Sequence, residues 1–332
     1  MKSPFTGGEV SLRKENRTLD YRKEQFEVLY QFYLCKDTST QFTDDELDTV
    51  NINLVYNQYR AKYGIPFPDE IKETREKYGL SASKMSEVLG FGANVYRNYE
   101  TGEVPSVSNG KFLQQIKKPE FFKSVLETSN QFEKEELEKL KKKIDLAYQG
   151  WNDFELAYER FLMGDTNPNE LTGYKSPHLE KIANMVLFFS EKITPFKTKL
   201  NKLLFYADFL HFRKTCFSIS GATYKAIQMG PVPKNFGGLY DYACEHNFIK
   251  ISLIYFDHGG VGEQFVPNGQ KTFAEDLFED SEKEVLNYIV EKFKDISVKD
   301  IIEKSHEESA WKKNVEGYKE ISYLESFELI NV

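Results

Sequence analysis

The chain has 332 residues, a formal net charge of −8 at pH 7 and 40% hydrophobic residues. A chain of this length is longer than a single hydrophobic core usually supports, so roughly two or three folded domains are expected. The hydrophobic content is enough to build such cores, which excludes a disordered chain. The negative charge argues against a protein that coats nucleic acid or anionic membrane, although a local basic face is compatible with it. No apolar run is long enough to span a membrane, and the N-terminus lacks the apolar core of a signal peptide. We therefore expect a cytoplasmic protein with no membrane partner.

The first domain is predicted at residues 1–66. Two runs with alternating apolar and polar residues, VSLRKENRTLDYR and QFEVLYQFYLC, have the length of hairpin strands. Thr43 follows as a candidate N-cap with Glu46 three residues later, and the helix that they begin is expected to end at Gly64.

This segment resembles the N-terminal zinc-ribbon part of MqsA-type antitoxins, which carries four metal-binding cysteines. The four corresponding positions here are Ser3, Thr6, Cys35 and Thr38. Because structural zinc selects Cys and His ligands, one thiol and three hydroxyls predict a degenerate hairpin that binds no metal and no other cofactor. The three cysteines are widely separated, which favours reduced, unreactive thiols.

Residues 67–128 are predicted to form a helix-turn-helix domain. Ser81 is the expected N-cap, Met85 and Val88 supply the apolar face, and Gly90 and Gly92 allow a tight turn.

The order Leu-Ser, Leu-Gly and Tyr-Glu-x-Gly resembles the repressor-type helix-turn-helix and the C-terminal domain of MqsA antitoxins. The resemblance implies that the third helix lies in the major groove with its first residues toward the bases. Asn94 matches the base-reading asparagine of that family, whereas the family's arginine four residues later is Asn98 here, with Arg97 beside it. The candidate DNA-binding residues are Ser81, Lys84, Asn94, Tyr96, Arg97 and Asn98.

A second interpretation of this domain is a helical scaffold that no longer binds DNA. Nine Lys or Arg residues balance nine Asp or Glu residues between Phe67 and Asn130. The domain therefore lacks the electrostatic surplus that usually supports phosphate contacts.

Residues 129–172 are predicted to connect the domains. From Leu137 to Phe161, apolar residues recur at alternating steps of three and four, which is typical of a helix packed lengthwise on another helix. The pattern is compatible with a coiled-coil dimer seam, but its aromatic bulk favours packing on the protein's own domains. Gly150 could break the helix, Asn152 could restart it, and a polar linker is expected from Gly164 to Gly173.

The last domain, residues 173–332, is predicted to be mainly helical with a minor sheet. Helices are expected at Leu179–Ile193, across the stretch that begins at Lys199, and from Ser281 onward. A short strand is expected after Gly221, and two apolar runs around the DHGGVG segment predict a hairpin.

This domain resembles the Panacea or SocA-like domain through three motifs: KLLFYAD at 202–208, Gly221-Ala222-x-Tyr224, and GPVP at 230–233. The resemblance implies an antitoxin module that binds a protein toxin. Aromatic and arginine residues are the usual anchors of interfaces, so the candidate toxin-binding residues are Tyr206, His211, Arg213, Tyr224 and Lys225.

A catalytic role is not expected. Asp208 and His211 stand one helical turn apart, which is compatible with an acid–base or metal pair. However, no nucleophile elbow, phosphate loop or paired ligand motif accompanies them, and a helical His among aromatic residues is more often a packing residue.

The sequence thus predicts an α+β protein, mostly α, with a small N-terminal β-hairpin, a repressor-type helix-turn-helix, connecting helices and a mainly helical C-terminal domain. The function that we infer is that of a type II antitoxin, which binds a cognate toxin and represses its operon as a homodimer on operator DNA. The alternatives are a ligand-responsive transcriptional regulator and an adaptor that presents a toxin to a protease.

Overall fold

The computed structural model describes residues 1–149, 153–164, 167–257 and 259–332. Contacts divide the chain into two compact units, residues 1–149 with 214–216 and residues 150–213 with 217–332. The division between the units falls after Gln149, and the domain boundary in the 164–173 linker stays a prediction. The architecture is mostly helical with small antiparallel sheets, as predicted.

The first unit begins with the predicted hairpin. Strands β1 (Val10–Tyr21) and β2 (Glu24–Cys35) pair antiparallel along their whole length, and β3 (Gln41–Phe42) adds a short third strand to β2. The two-residue turn between β1 and β2, Arg22 and Lys23, has positive φ at both positions, as tight hairpin turns that match the strand twist require.

Helix α1 (Asp45–Tyr63) covers the hairpin. Its N-cap is Asp44, whose Oδ1 accepts from the Leu47 amide at 2.9 Å, and not Thr43 as predicted. It ends at Gly64 as expected, with φ of 60°. Asn51 makes two 2.8 Å hydrogen bonds to the main chain of Gln31, so this side chain pairs with β2 where β3 does not reach.

Six further helices complete the first unit: α2 (Pro68–Tyr78), α3 (Ala82–Val88), α4 (Val95–Glu100), α5 (Val107–Ile116), α6 (Pro119–Ser129) and α7 (Lys134–Gln149). Ile144 of α7 is fully buried in their shared core, and Leu137 and Leu140 pack against it. These α7 residues therefore pack on their own domain and do not form a dimer seam. The predictions about Gly150 and Asn152 lie outside the described residues.

The second unit contains α8 (Asp153–Met163), α9 (Leu179–Ile193), α10 (Lys197–Thr215), α11 (Phe236–Glu245), α12 (Asp280–Phe293), α13 (Val298–Glu307) and α14 (Ser309–Lys312). Two antiparallel hairpins lie between these helices, β4 (Tyr224–Ile227) with β5 (Gly230–Pro233), and β6 (Ile249–Tyr255) with β7 (Val261–Pro267). Short 3-10 turns occur at Glu275–Leu277 and Tyr323–Glu328. Within the described residues, no helix is both long enough and apolar enough to cross a bilayer.

Helix α10 is the centre of the second unit. Every residue from Lys199 to Phe212 is buried, so this helix has no solvent-facing stripe. Such all-round burial is typical of a helix surrounded by other elements. On one side Phe209 stacks on Tyr323, and on another Tyr206 stacks on Phe293.

Candidate functional site

The turn between α3 and α4 positions the candidate recognition helix. The Ser81 hydroxyl accepts from the Lys84 amide at 3.1 Å and so begins α3, as predicted. Gly90 adopts a φ of 68°, which a residue with a side chain rarely does, and this allows the sharp turn after α3. The Ser86 hydroxyl then accepts from the Tyr96 amide at 3.1 Å, which ties the start of α4 to α3.

Three candidate DNA-binding residues lie on the solvent side of this arrangement. Asn94, Arg97 and Asn98 are all exposed at or near the first turn of α4. Lys84 is partly buried, because its ammonium donates to Glu87 and to the Gln131 carbonyl. Asn94, Arg97 and Asn98 therefore have the exposure that reading base edges requires.

Tyr96 is corrected from a DNA-facing to a core residue. Its side chain is fully buried, and its hydroxyl donates to the Ile71 carbonyl at 2.8 Å. Tyr96 lies on the inner face of α4, between the partly buried Val95 and the exposed Arg97, and its hydrogen bond joins α4 to α2.

The four positions that we compared with zinc ligands from the sequence lie together at the end of the hairpin. The Ser3 hydroxyl donates to the sulfur of Cys35 at 3.0 Å, and Thr6 lies 3.6 Å from the same sulfur. Hydrogen bonds from Ser3 and Thr38 lower the pKa of the Cys35 thiol to about 6. A hydroxyl-to-sulfur network thus connects these positions, and within the described residues no group of three or more His, Cys, Asp or Glu side chains is placed to hold a metal.

In the second unit, Asp208 organises the segment that follows α10. Its Oδ1 accepts from the amides of Ile219 and Ser220, and its Oδ2 accepts from the hydroxyls of Ser220 and Tyr224, all between 2.6 and 2.9 Å. Burial raises the pKa of this carboxyl, and the four donors oppose that effect.

Lys202, on the same helix, is fully buried and donates to the Pro231 carbonyl at 3.1 Å. Burial lowers the pKa of its ammonium to about 7. Together with the bond from Tyr224 to Asp208, this contact joins the three sequence motifs in space. The motif residues therefore have structural roles that their spacing alone does not reveal.

Three of the candidate toxin-binding residues are corrected to core residues. Tyr206 and Tyr224 have no exposed surface, and His211 is 4% exposed. We expected the aromatic density of α10 to exceed what the core could bury. Aromatic residues from later in the chain surround this helix instead, including Phe293, Tyr323 and Phe327.

His211 lies beside a buried ion cluster. The carboxylate of Glu282 is fully buried and pairs with Lys175 at 2.8 Å and Lys181 at 2.6 Å. The imidazole accepts from Ser281 through Nε2 and, as the neutral tautomer, donates from Nδ1 to the Phe217 carbonyl. Burial, with the ammonium of Lys175, lowers the pKa of His211 to about 4.

The two remaining candidates, Arg213 and Lys225, are partly exposed. Arg213, near the end of α10, donates to the main-chain oxygens of Leu329 and Val332. Lys225 lies on β4, where it forms an isolated β-bridge with Glu320.

An exposed apolar surface that we did not predict lies on the β6–β7 hairpin. Leu253, Tyr255 and Val261 are 53%, 74% and 54% exposed. Alternate residues of a strand share a face, and Val261 is the cross-strand partner of Tyr255, so these three side chains lie on one side of the hairpin. The short apolar run LIY after Ser252 indicates a strand, but such a run is equally typical of a buried strand and does not show that its side chains are exposed.

A comparison with protein-family models finds a similarity for part of the chain. Residues 200–312, from α10 to α14, match the family described as antitoxin SocA-like, Panacea domain. The match supports an antitoxin role and a toxin partner in general terms; the first unit lies outside the matched range apart from residues 214–216. Comparisons with curated proteins and with solved structures yield no match.

Proposed function

We propose that this protein is the antitoxin of a type II toxin–antitoxin pair and acts in the cytoplasm. The observation that carries the proposal is the SocA-like Panacea match at residues 200–312, which covers the buried α10 and its hydrogen-bonded motifs. Neutralisation would be stoichiometric, because burial of a toxin's active surface needs one antitoxin surface per toxin.

The proposed role is binding and not catalysis. Asp208 and His211, the pair compatible with acid–base chemistry, are both committed to internal hydrogen bonds. Neither has the access to a substrate that a general acid or base needs.

We propose that the first unit represses the shared operon through a repressor-type helix-turn-helix formed by α3 and α4. Support comes from the exposure of Asn94, Arg97 and Asn98 at the start of α4. Asparagine pairs with adenine and arginine with guanine in the major groove. A homodimer would place two copies of α4 about one DNA turn apart on a two-fold operator.

The first experiment separates DNA binding from toxin neutralisation. In the Asn94→Ala/Arg97→Ala variant, we expect the shift of the protein's own promoter DNA to weaken by at least about tenfold, because each base contact contributes on the order of 1–3 kcal/mol. Growth rescue against the product of the adjacent gene should stay intact. The matched control is Lys139→Ala, which removes an exposed positive charge from α7. Unchanged promoter binding, or loss of rescue, contradicts this division of labour.

We propose that the exposed face of the β6–β7 hairpin contacts the toxin. Exposed apolar and aromatic side chains on one face are the usual core of a protein interface. Leu253→Asp/Tyr255→Asp should therefore abolish co-purification with the toxin, while promoter binding stays unchanged. Tyr318→Asp is the control, because Tyr318 is 53% exposed elsewhere in the same unit. Equal toxin recovery for all three proteins rules this surface out.

A further inference from the structure

The last four residues of the chain, Leu329–Val332, form a segment of the second unit that bends at Ile330 and that we call the strap. Arg213 donates from Nη1 to the Leu329 carbonyl at 3.2 Å and from Nη2 to the Val332 main-chain oxygen at 2.8 Å. One guanidinium thus binds the strap at both of its ends. Burial lowers the pKa of this group, but it remains charged at any physiological pH.

A buried carboxylate binds the middle of the strap. Glu308, at the start of α14, accepts from the amide of Ile330 through Oε2 at 2.9 Å and from the amide of Asn331 through Oε1 at 3.1 Å. Its Oε1 also accepts from the Tyr206 hydroxyl at 3.2 Å, which holds the carboxylate in place. Hydrogen bonds to charged groups are roughly twice as strong as neutral ones, so these four main-chain contacts dominate the attachment.

Two strap side chains make contacts that the site can recognise. Leu329 is 7% exposed, and Asn331 donates to the Lys304 carbonyl at 3.0 Å and to Glu307 at 3.2 Å. Ile330 between them is 68% exposed. The site therefore selects a segment that bends at its second residue and has an apolar residue, any residue, and then asparagine.

We propose that Arg213, Lys304, Glu307 and Glu308 form a peptide-binding site of which the strap is an exchangeable occupant. Main-chain recognition by fixed charged groups is independent of most side chains, so a second segment of the same pattern can replace the strap. Leu329 is the one buried apolar side chain of the strap. Little hydrophobic burial therefore opposes replacement of the strap by another segment. This inference does not depend on the proposed antitoxin function.

The test uses a labelled peptide of residues 327–332 and the chain shortened to end at Glu328. Fluorescence anisotropy should show saturable binding to the shortened chain and binding at least about tenfold weaker to the full chain, where the strap competes from within. In the shortened chain, Glu308→Gln should weaken binding by about tenfold or more, because it turns an amide donor toward a main-chain N–H. Glu303→Gln, an exposed position on α13, is the matched control and should bind normally.

Peptide variants test the pattern. Alanine at the position of Asn331 should weaken binding to the shortened chain, whereas alanine at the position of Ile330 should not. If the shortened chain folds poorly, the full chain with Leu329→Ala/Asn331→Ala replaces it in the test. Its strap should be held more weakly, so the unmodified peptide should bind to it more tightly than to the natural chain. Absence of binding to a folded shortened chain, or equal binding with and without Glu308→Gln, overturns the proposal.

Discussion

Replacing Asp208 with alanine is expected to destabilise the second unit by at least about 3 kcal/mol, since it removes the acceptor for four buried donors at once. Each buried donor left without a partner costs on the order of 1–3 kcal/mol, and the costs are not additive because the segment can relax. Asp208→Asn should cost less, because its amide oxygen can still accept from the Ile219 and Ser220 amides.

Tryptophan fluorescence during urea unfolding measures this effect, because Trp311 lies in the second unit and reports on its unfolding. The expected result is a lower midpoint for Asp208→Ala than for Asp208→Asn. Asp241→Ala is the control, because Asp241 is exposed on α11 of the same unit. If Asp208→Ala and Asp241→Ala unfold at the same urea concentration, Asp208 does not organise this segment.

Elements with strong local signals could be predicted from the sequence. The bounds of α9 were predicted residue for residue, and Ser81 and Gly64 begin and end their helices as expected. Caps and turns act within a few residues, so a local pattern contains nearly all the information. Even so, Asp44 replaced Thr43 as the cap of α1, because adjacent residues compete for one capping position.

The surroundings of α10 could not be predicted in the same way. The residues that bury it come from distant parts of the chain: Tyr323 and Phe327 lie more than a hundred residues after Phe212. A single sequence shows that a helix has apolar residues on several faces, but it does not show how many neighbours the fold supplies. Tyr206 and Tyr224 were therefore predicted to lie on a binding surface, whereas other parts of the chain bury them.

The same limit applies to the charged residues. Glu282 pairs with Lys175, which is 107 positions away. Arg213 reaches the main chain of the strap in a similar way, across 119 positions to Val332. Neither contact can be predicted from the spacing of residues along the sequence, because the topology of the fold determines which distant residues meet. The exposed residues of α4, by contrast, followed from a motif in which the turn and helix are contiguous.

The second large effect that we expect is a loss of stability of the second unit on acidification, caused by His211 and Glu282. Burial, with nearby Lys175, lowers the pKa of His211 to about 4 from an ordinary value of 6.5, so only the unfolded chain gains this proton as the pH falls from 6.5 to 4. Burial alone would raise the pKa of Glu282, but Lys175 and Lys181 outweigh it and lower that pKa to about 2 from 4.5. Its stabilisation is therefore present above pH 4.5 and lost between pH 4.5 and 2. Each group should account for about 3 kcal/mol over its window.

Urea unfolding followed by tryptophan fluorescence between pH 7 and pH 2.5 separates the two groups by substitution. Glu282→Gln should lose about 3 kcal/mol already at pH 7, because it leaves two buried ammonium groups without their carboxylate, and its stability should fall less below pH 4.5. His211→Gln should remove the part of the decline between pH 6.5 and 4. Glu284→Gln, exposed two residues further along α12, should match the unmodified chain throughout. A Glu282→Gln profile that parallels the unmodified chain down to pH 2.5 would show that this cluster does not control acid unfolding, because the missing titration would have left no trace.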